Sequence, residues 1–152
     1  MKITRAQFVA GYSAFYFDDQ KAIKTGAGQD GFVHVGDAVT EGFREIRQAG
    51  ECVSVLLYLE NGAVAVGDCA AVQYSGAGGR DPLFLARNFV PFLERHLAPL
   101  LEGRDVDGFL GNARYFDALE IEGRRLHTAI RYGLTQALLD ATALARRLTK
   151  AE

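Results

Sequence analysis

Net charge is nearly absent from this sequence: 17 Lys and Arg stand against 19 Asp and Glu, leaving −2 over 152 residues. That balance removes any electrostatic reason to seek nucleic acid or an anionic membrane surface. Cysteine is scarce as well. Cys52 and Cys69 both lie in strand-like runs, and no C-x-x-C or Cys/His cluster occurs, so the two thiols read as reduced and the protein as cytoplasmic. No apolar run approaches the length of a membrane span, and Met1-Lys2-Ile3-Thr4-Arg5 leads into no signal-peptide core. Internal repeats, low-complexity tracts and linkers are missing too. These absences leave one ordinary domain, 1–152, with 49% hydrophobic residues to build a core.

Several catalytic signatures are also lacking. Gln73-Tyr74-Ser75-Gly76-Ala77 fails the G-x-S-x-G nucleophile elbow at its first glycine. No Gly-Lys-Ser/Thr follows the glycines at 76, 78 and 79, which excludes a P-loop. Gly26-Ala27-Gly28-Gln29-Asp30-Gly31 does satisfy G-x-G-x-x-G, but the strand-like run Phe32-Val33-His34-Val35 follows it where a dinucleotide fingerprint needs a helix, so a flexible loop is the better reading. His34, His96 and His127 are far apart with no partner at ligand spacing, which leaves no metal site to argue. His96, beside Glu94 and Arg95, and His127, near Arg124, Arg125 and Arg131, read as solvated helix residues. Asp18-Asp19 reads as a turn or helix cap, and Cys69 as a buried structural thiol.

What is present is organised around residues 68–82. An apolar strand there runs into a loop with glycines at 76, 78 and 79, which tolerate positive φ and close backbone approach. The loop should present Gln73, Tyr74, Ser75 and Arg80. Asp81 then suits an N-cap and Pro82 the first helical position.

The rest of the chain reads in order. Residues 2–10 predict a strand. Tyr12, Phe15, Tyr16 and Phe17 anchor a long loop that runs to Gly31, and loops of that length are often functional. Residues 37–50 stay open between helix and strand. Cys52 to Leu59 is a strand with Val53, Val55, Leu57 and Leu59 on one face; Asn61-Gly62 supplies a two-residue turn, and Val64 to Val72 returns as its partner. Leu85, Phe89, Leu93, Leu97 and Leu100 recur at helical spacing from Pro82 to about Leu101, with Gly103 at the C-terminal cap. A shorter helix covers Phe109 to Leu119. The last helix, Leu126 to Lys150, carries a stripe of Leu126, Ile130, Leu134 and Leu138. Beside it runs a stripe of small residues, Ala129, Gly133, Ala137, Ala141 and Ala145. A helical glycine costs on the order of 1 kcal/mol against alanine, so such a stripe implies that another element packs close. The fold class is α+β, an antiparallel β-meander followed by a helical bundle.

Long strings of this sequence resemble the N-terminal part of methylaspartate ammonia-lyases, of the enolase superfamily. They are Phe15 to Lys24, Gly26-Ala27-Gly28, Thr40-Glu41-Gly42-Phe43, Gly67 to Pro82 and Arg125 to Gly133. The resemblance implies an α+β capping domain that in the family precedes a (β/α)-barrel, here missing. The family eliminates ammonia from L-threo-3-methylaspartate to give mesaconate in glutamate fermentation. A barrel lysine acts as base there, and Mg²⁺, held by barrel carboxylates, stabilises the enediolate. No catalytic or metal-binding residue is therefore assigned to this chain, and no cofactor is expected on it. The resemblance implies that Gln73 lines the substrate pocket near the amino group, with Tyr74, Ser75 and Arg80 on the same lid and Phe17 on a second piece of it, Tyr12 to Asp19. It also implies that part of the last helix faces the barrel. The partners expected are a barrel domain or barrel chain, a second copy of the chain and a small amino-acid substrate. The isolated cap is expected to be inactive, and to self-associate or bind a separate barrel chain. The alternatives are a non-enzymatic binding or assembly module derived from the same cap, and a small independent enzyme using Ser75, Arg80 and a histidine, which the spacing does not support.

Overall fold

The structure is a computed structural model and describes residues 1–71 and 81–151. Its element order is β1 (Ile3–Asp18), α1 (Gln20–Lys24), β2 (Gly28–Asp30), β3 (Val33–Val35), β4 (Arg47–Leu59), β5 (Val64–Ala70), α2 (Ala86–His96), α3 (Ala98–Leu101), α4 (Phe109–Ala118), β6 (Glu120–Ile121), β7 (Arg124–Arg125) and α5 (Thr128–Arg146). The three long strands form an antiparallel meander in the order β1-β4-β5, and all helices but the short α1, which lies between β1 and β4, follow it, in line with the α+β reading.

Alternation fixes which face of the meander is dry. Val53, Val55, Leu57 and Leu59 of β4 and Ala65 and Cys69 of β5 are all buried, while their neighbours along each strand are more open. A one-residue slip would turn every one of these side chains outward, so burial specifies the register. The β4–β5 turn is one residue longer than the sequence suggests. Tyr58 pairs with Val64, Leu59 N–H donates to the Ala63 carbonyl, and of Asn61 and Gly62 only Gly62 has positive φ, at 82°. A type I′ turn would need both central residues there.

The larger departure lies in β1. The expected strand over 2–10 continues to Asp18, through the aromatic stretch expected to be loop. Pairing with β4 runs Tyr12 to Glu51 and resumes at Tyr16 to Ala49, so Ser13, Ala14 and Phe15 arch over Gly50 alone. Gly50 makes the bulge feasible, because a Cβ there would sit 2.6 Å from the Phe15 carbonyl oxygen. The bulge absorbs the broken alternation that mimics a loop in sequence. After Asp18, the stretch to Gly31 is not one loop either: α1 is followed by the small β2–β3 hairpin. Residues 37–46 are irregular, and β4 starts at Arg47.

Asp81 and Pro82 do not open a helix. Residues 82–85 are not helical and bury Leu83, Phe84 and Leu85, which would be lost from the core if the helix started earlier. The α2 helix begins at Ala86, whose N–H donates to Glu51 Oε2 at 2.6 Å. A break at Leu97 separates α2 from α3, and Gly103 follows with φ of 81° as the cap position requires. The α4 helix falls where the periodicity places it.

The α5 helix is the spine. Leu126 precedes it, Ile130, Leu134 and Leu138 are all buried, and so are Ala129, Gly133, Ala137 and Ala141 of the small stripe. The close partner is β5 of this same domain. A Cβ on Gly133 would lie 2.5 Å from the Asp68 carbonyl carbon. These stripe residues are consumed inside the chain, and Ala145 is half-buried against the same core. The helix stops at Arg146 because Arg147 turns left-handed, at φ of 59°.

Candidate functional site

Four of the predicted site residues, Gln73, Tyr74, Ser75 and Arg80, lie outside the described residues, as does most of the glycine loop. The fifth, Phe17, has no exposed surface and belongs to the core. Among the aromatics of that stretch, Tyr12, Phe15 and Tyr16 face outward, at 77%, 64% and 57% exposure. Alternation across the bulge decides this split: Phe17 follows the resumed register, whereas Phe15 rides the arch.

The two ends of segment 72–80 are both described. At its start, β5 delivers a fully buried Cys69 and a buried Ala71. Burial first, then the charge of Asp68 and the nearby Cys52, pushes the Cys69 thiol up to about 12. A thiol in that state is not a nucleophile at neutral pH.

At its end, Asp81 and Pro82 are bound to the start of α5. Thr128 N–H donates to Asp81 Oδ2 at 2.7 Å, so Asp81 serves α5 rather than the helix next to it in sequence. Burial alone would raise the Asp81 pKa, but the hydrogen bonds from Thr128, with the charge of Arg131 behind them, outweigh it and hold the carboxyl below its ordinary range. His127 is the N-cap of α5 and is buried, not solvated. Its Nδ1 accepts from Ala129 N–H at 3.0 Å, and its Nε2 lies 3.0 Å from the Pro82 carbonyl oxygen. An acceptor at Nδ1 and a carbonyl at Nε2 select the neutral tautomer with hydrogen on Nε2. The imidazole is enclosed by Phe84 and Phe89, with ring centroids at 5.1 and 5.3 Å. Burial, the largest influence, lowers the His127 pKa; the Pro82 carbonyl and Asp81 pull it back up and Arg131 pushes it further down. Asp81 Oδ2 stands 3.8 Å from Nδ1, but with a neutral ring this is not an ion pair.

Around this joint lies a cleft of about 590 Å³ whose walls include Asp81, Phe89, Phe92, Arg124 and His127. Asp117 nearby binds Arg131 at 2.8 Å and Arg125 at 3.2 Å. Arg131 Nε is buried without a partner among the described residues. His34 and His96 lie elsewhere, on β3 and at the end of α2.

A second polar centre is Asp19, missed as anything beyond a cap. Its carboxylate is fully buried and accepts five hydrogen bonds: Lys21 N–H, Ala22 N–H and Thr40 Oγ1 on Oδ1, and Val39 N–H and Thr40 N–H on Oδ2. The Asx cap was legible at positions 19–22, whereas the donors 20 and 21 residues away had no local signal. Beside it, Asp18 holds Arg47 through two bonds of 2.7 and 2.9 Å.

Chemically, the described residues form a scaffold. Both nitrogens of His127 are engaged, Cys69 is protonated, and no group of three or more His, Cys, Asp or Glu among the described residues could hold a metal ion. No helix among them is long and apolar enough to cross a membrane.

Against known proteins, the family described as Methylaspartate ammonia-lyase N-terminus matches residues 1–152. Methylaspartate ammonia-lyase of Citrobacter amalonaticus is 74% identical over 152 residues, covering 100% of this chain and 37% of that protein. Its crystal structure containing (2S,3S)-3-methylaspartic acid is similar with a TM-score of 0.94, over 99% of this chain and 36% of that one. The Mg complex of beta-methylaspartase from Clostridium tetanomorphum, 60% identical, gives a TM-score of 0.96 over 99% of this chain and 37% of the other. Muconate lactonizing enzyme of Pseudomonas putida, at 16% identity and a TM-score of 0.56 over 96% of this chain and 30% of its own, shares the fold. The chain thus spans little more than a third of the length of the relatives it matches.

Proposed function

This chain belongs to the methylaspartate ammonia-lyase N-terminal family, and from that premise we propose that it is the substrate-capping domain of an enzyme that eliminates ammonia from L-threo-3-methylaspartate to give mesaconate. The observation that carries this reading is the match of the whole chain, in sequence and in fold, to part of proteins of that name. The (2S,3S)-3-methylaspartic acid in the Citrobacter structure supports the substrate class.

In this reading Gln73 is the polar contact of the cap. A primary amide both donates and accepts, which suits an amine that leaves as ammonia. Tyr74, Ser75 and Arg80 share its segment, and Phe17 supports the lid from inside the core. The chemistry resides in a (β/α)-barrel domain or chain that completes the enzyme, and this chain alone is catalytically silent. The magnesium of the Clostridium complex supports a metal-dependent reaction in the family, but the donor groups described here do not fit such an ion, so no step is routed through one. Cytoplasmic location and assembly into a homo-oligomer complete the proposal.

The test is ammonia release from 3-methylaspartate with excess Mg²⁺. The 152-residue chain alone should give the rate of a no-protein control, and activity should appear when a barrel chain is added. Turnover by the chain alone would overturn the assignment of all chemistry to the barrel. Activity of the completed enzyme that is indifferent to Gln73→Ala would remove Gln73 from the pocket.

A further inference from the structure

We propose that His127 and Asp81 are a positioning pair for the reaction: together they fasten the Asp81–Pro82 segment, from which residues 72–80 lead back to β5, onto the first turn of α5. The inference rests on the capping reading for its purpose, and on the geometry of the joint for its mechanism.

Three hydrogen bonds make the fastening. Asp81 Oδ2 takes Thr128 N–H, His127 Nε2–H donates to the Pro82 carbonyl, and His127 Nδ1 takes Ala129 N–H. The first two tie positions 81 and 82 to a helix 45 to 47 residues away in sequence. The third holds the ring itself to that helix. Because α5 is packed along β5 through Gly67 and Gly133, both ends of segment 72–80 are referred to one rigid unit, β5 at one side and the α5 start at the other. In the capping reading, the hold on these two described ends, Ala71 and Asp81, is what the pocket depends on.

The pair is sensitive to one proton. Protonated Nδ1 cannot accept from Ala129 N–H, so charging the ring breaks the bond that orients it. The groups facing the ring bias this event in both directions. Asp81, at 3.8 Å, favours the charged ring, whereas Arg131 on α5 and the apolar walls of Phe84 and Phe89 oppose it. Arg124, Arg125 and Glu122, on β7, β7 and the β6–β7 turn, line the same cleft. With Asp81 beside it, a charged His127 is drawn toward the carboxylate that Thr128 now occupies, and the Pro82 contact loses its alignment.

Two variants separate positioning from folding. His127→Asn retains a side-chain oxygen of the kind that caps helices but cannot titrate; His127→Ala retains neither property. In the 152-residue chain, amide-exchange protection of Ala129 and Thr128 is measured against pH. Wild type should lose at least tenfold protection as the imidazole charges, His127→Asn should hold Ala129 protection across that range, and His127→Ala should lack it throughout, with circular dichroism showing all three folded. In the enzyme completed by its barrel, His127→Ala should raise KM for 3-methylaspartate about tenfold with a smaller change in kcat, and His127→Asn should restore it. Unchanged protection in His127→Ala, or lost protection with an unchanged KM, would overturn the proposal. Wild-type enzyme that releases no ammonia would instead sink the lyase reading and with it the purpose of the pair, while the exchange data would still decide whether the fastening exists.

Discussion

Gly67 of β5 and Gly133 of α5 meet backbone to backbone. A Cβ on Gly67 would lie 2.6 Å from Ala137 N, and one on Gly133 would lie 2.7 Å from Cys69 Sγ. Neither glycine has positive φ, so closeness and not backbone conformation excludes a side chain. Gly133→Ala gains about 1 kcal/mol of helix propensity but pushes a methyl into rigid backbone, which costs typically 1–3 kcal/mol and more where nothing can move. The expected result is a lower midpoint in thermal unfolding for Gly67→Ala and Gly133→Ala alike. A raised midpoint for Gly133→Ala would mean that helix and strand are not in contact.

Asp19 predicts an acid limb in stability. Burial opposes its ionisation, yet the Thr40 hydroxyl and the Thr40, Val39 and Ala22 amides bring its pKa from 3.8 down to about 2. A depressed carboxyl stabilises the fold fully above its unfolded pKa and loses that contribution as pH falls from about 4 through about 2, roughly 2 kcal/mol in all. Asp19→Asn should cost roughly 2–3 kcal/mol at pH 7 and show a shallower acid limb in urea titrations. Equal stability of variant and wild type at pH 7 would remove Asp19 from this role.

The thiols should react in a fixed order. Cys52 is partly exposed and Cys69 is fully buried with its pKa pushed to about 12. Burial also raises Cys52, with Asp68 adding to it, so labelling by iodoacetamide at pH 8 should be slow at Cys52 and undetectable at Cys69 until denaturant is added. Peptide mass mapping after timed labelling checks the order, and early modification of Cys69 would contradict its burial.

Asp140 on α5 should guard the free edge of the sheet. Its Oδ2 accepts from Val66 N–H at 2.8 Å, and Lys150, 3.4 Å from Asp140, reaches the Val66 carbonyl. Asp140→Ala would release one edge donor of β5, at a cost of about 1 kcal/mol. Exposed edges template pairing with other chains, so light scattering on mild heating should rise faster for the variant; identical scattering would show that the edge is protected by other means.

The elements legible in sequence were those whose cause is local. The β4–β5 hairpin follows from the alternation of Val53, Val55 and Leu57, and the α5 stripes from a period that Gly133 makes unusual. What escaped depends on distant partners. Asp81-Pro82 carries the same local signal whichever helix Asp81 serves, and the burial of Leu83, Phe84 and Leu85 decides that the helix starts later. The continuation of β1 depends on Gly50 across the ladder. His127 looked solvated among arginines because nothing near it in sequence announces Phe84 and Phe89. Of the candidate site, the anchoring residues 81 and 127 emerged from the fold, whereas Gln73, Tyr74, Ser75 and Arg80 rest on resemblance.

The bonds from residues 39 and 40 back to Asp19 have a topological consequence. They close a ring of chain around α1 and the β2–β3 hairpin, and the hairpin beyond the closure buries almost nothing, with Phe32 at its tip 97% exposed. Strain introduced at the tip is therefore cut off at the carboxylate before it reaches the meander. Such a site tolerates added sequence: a peptide tag or a small inserted domain placed between Gly31 and Phe32 leaves the rest of the domain to fold as before.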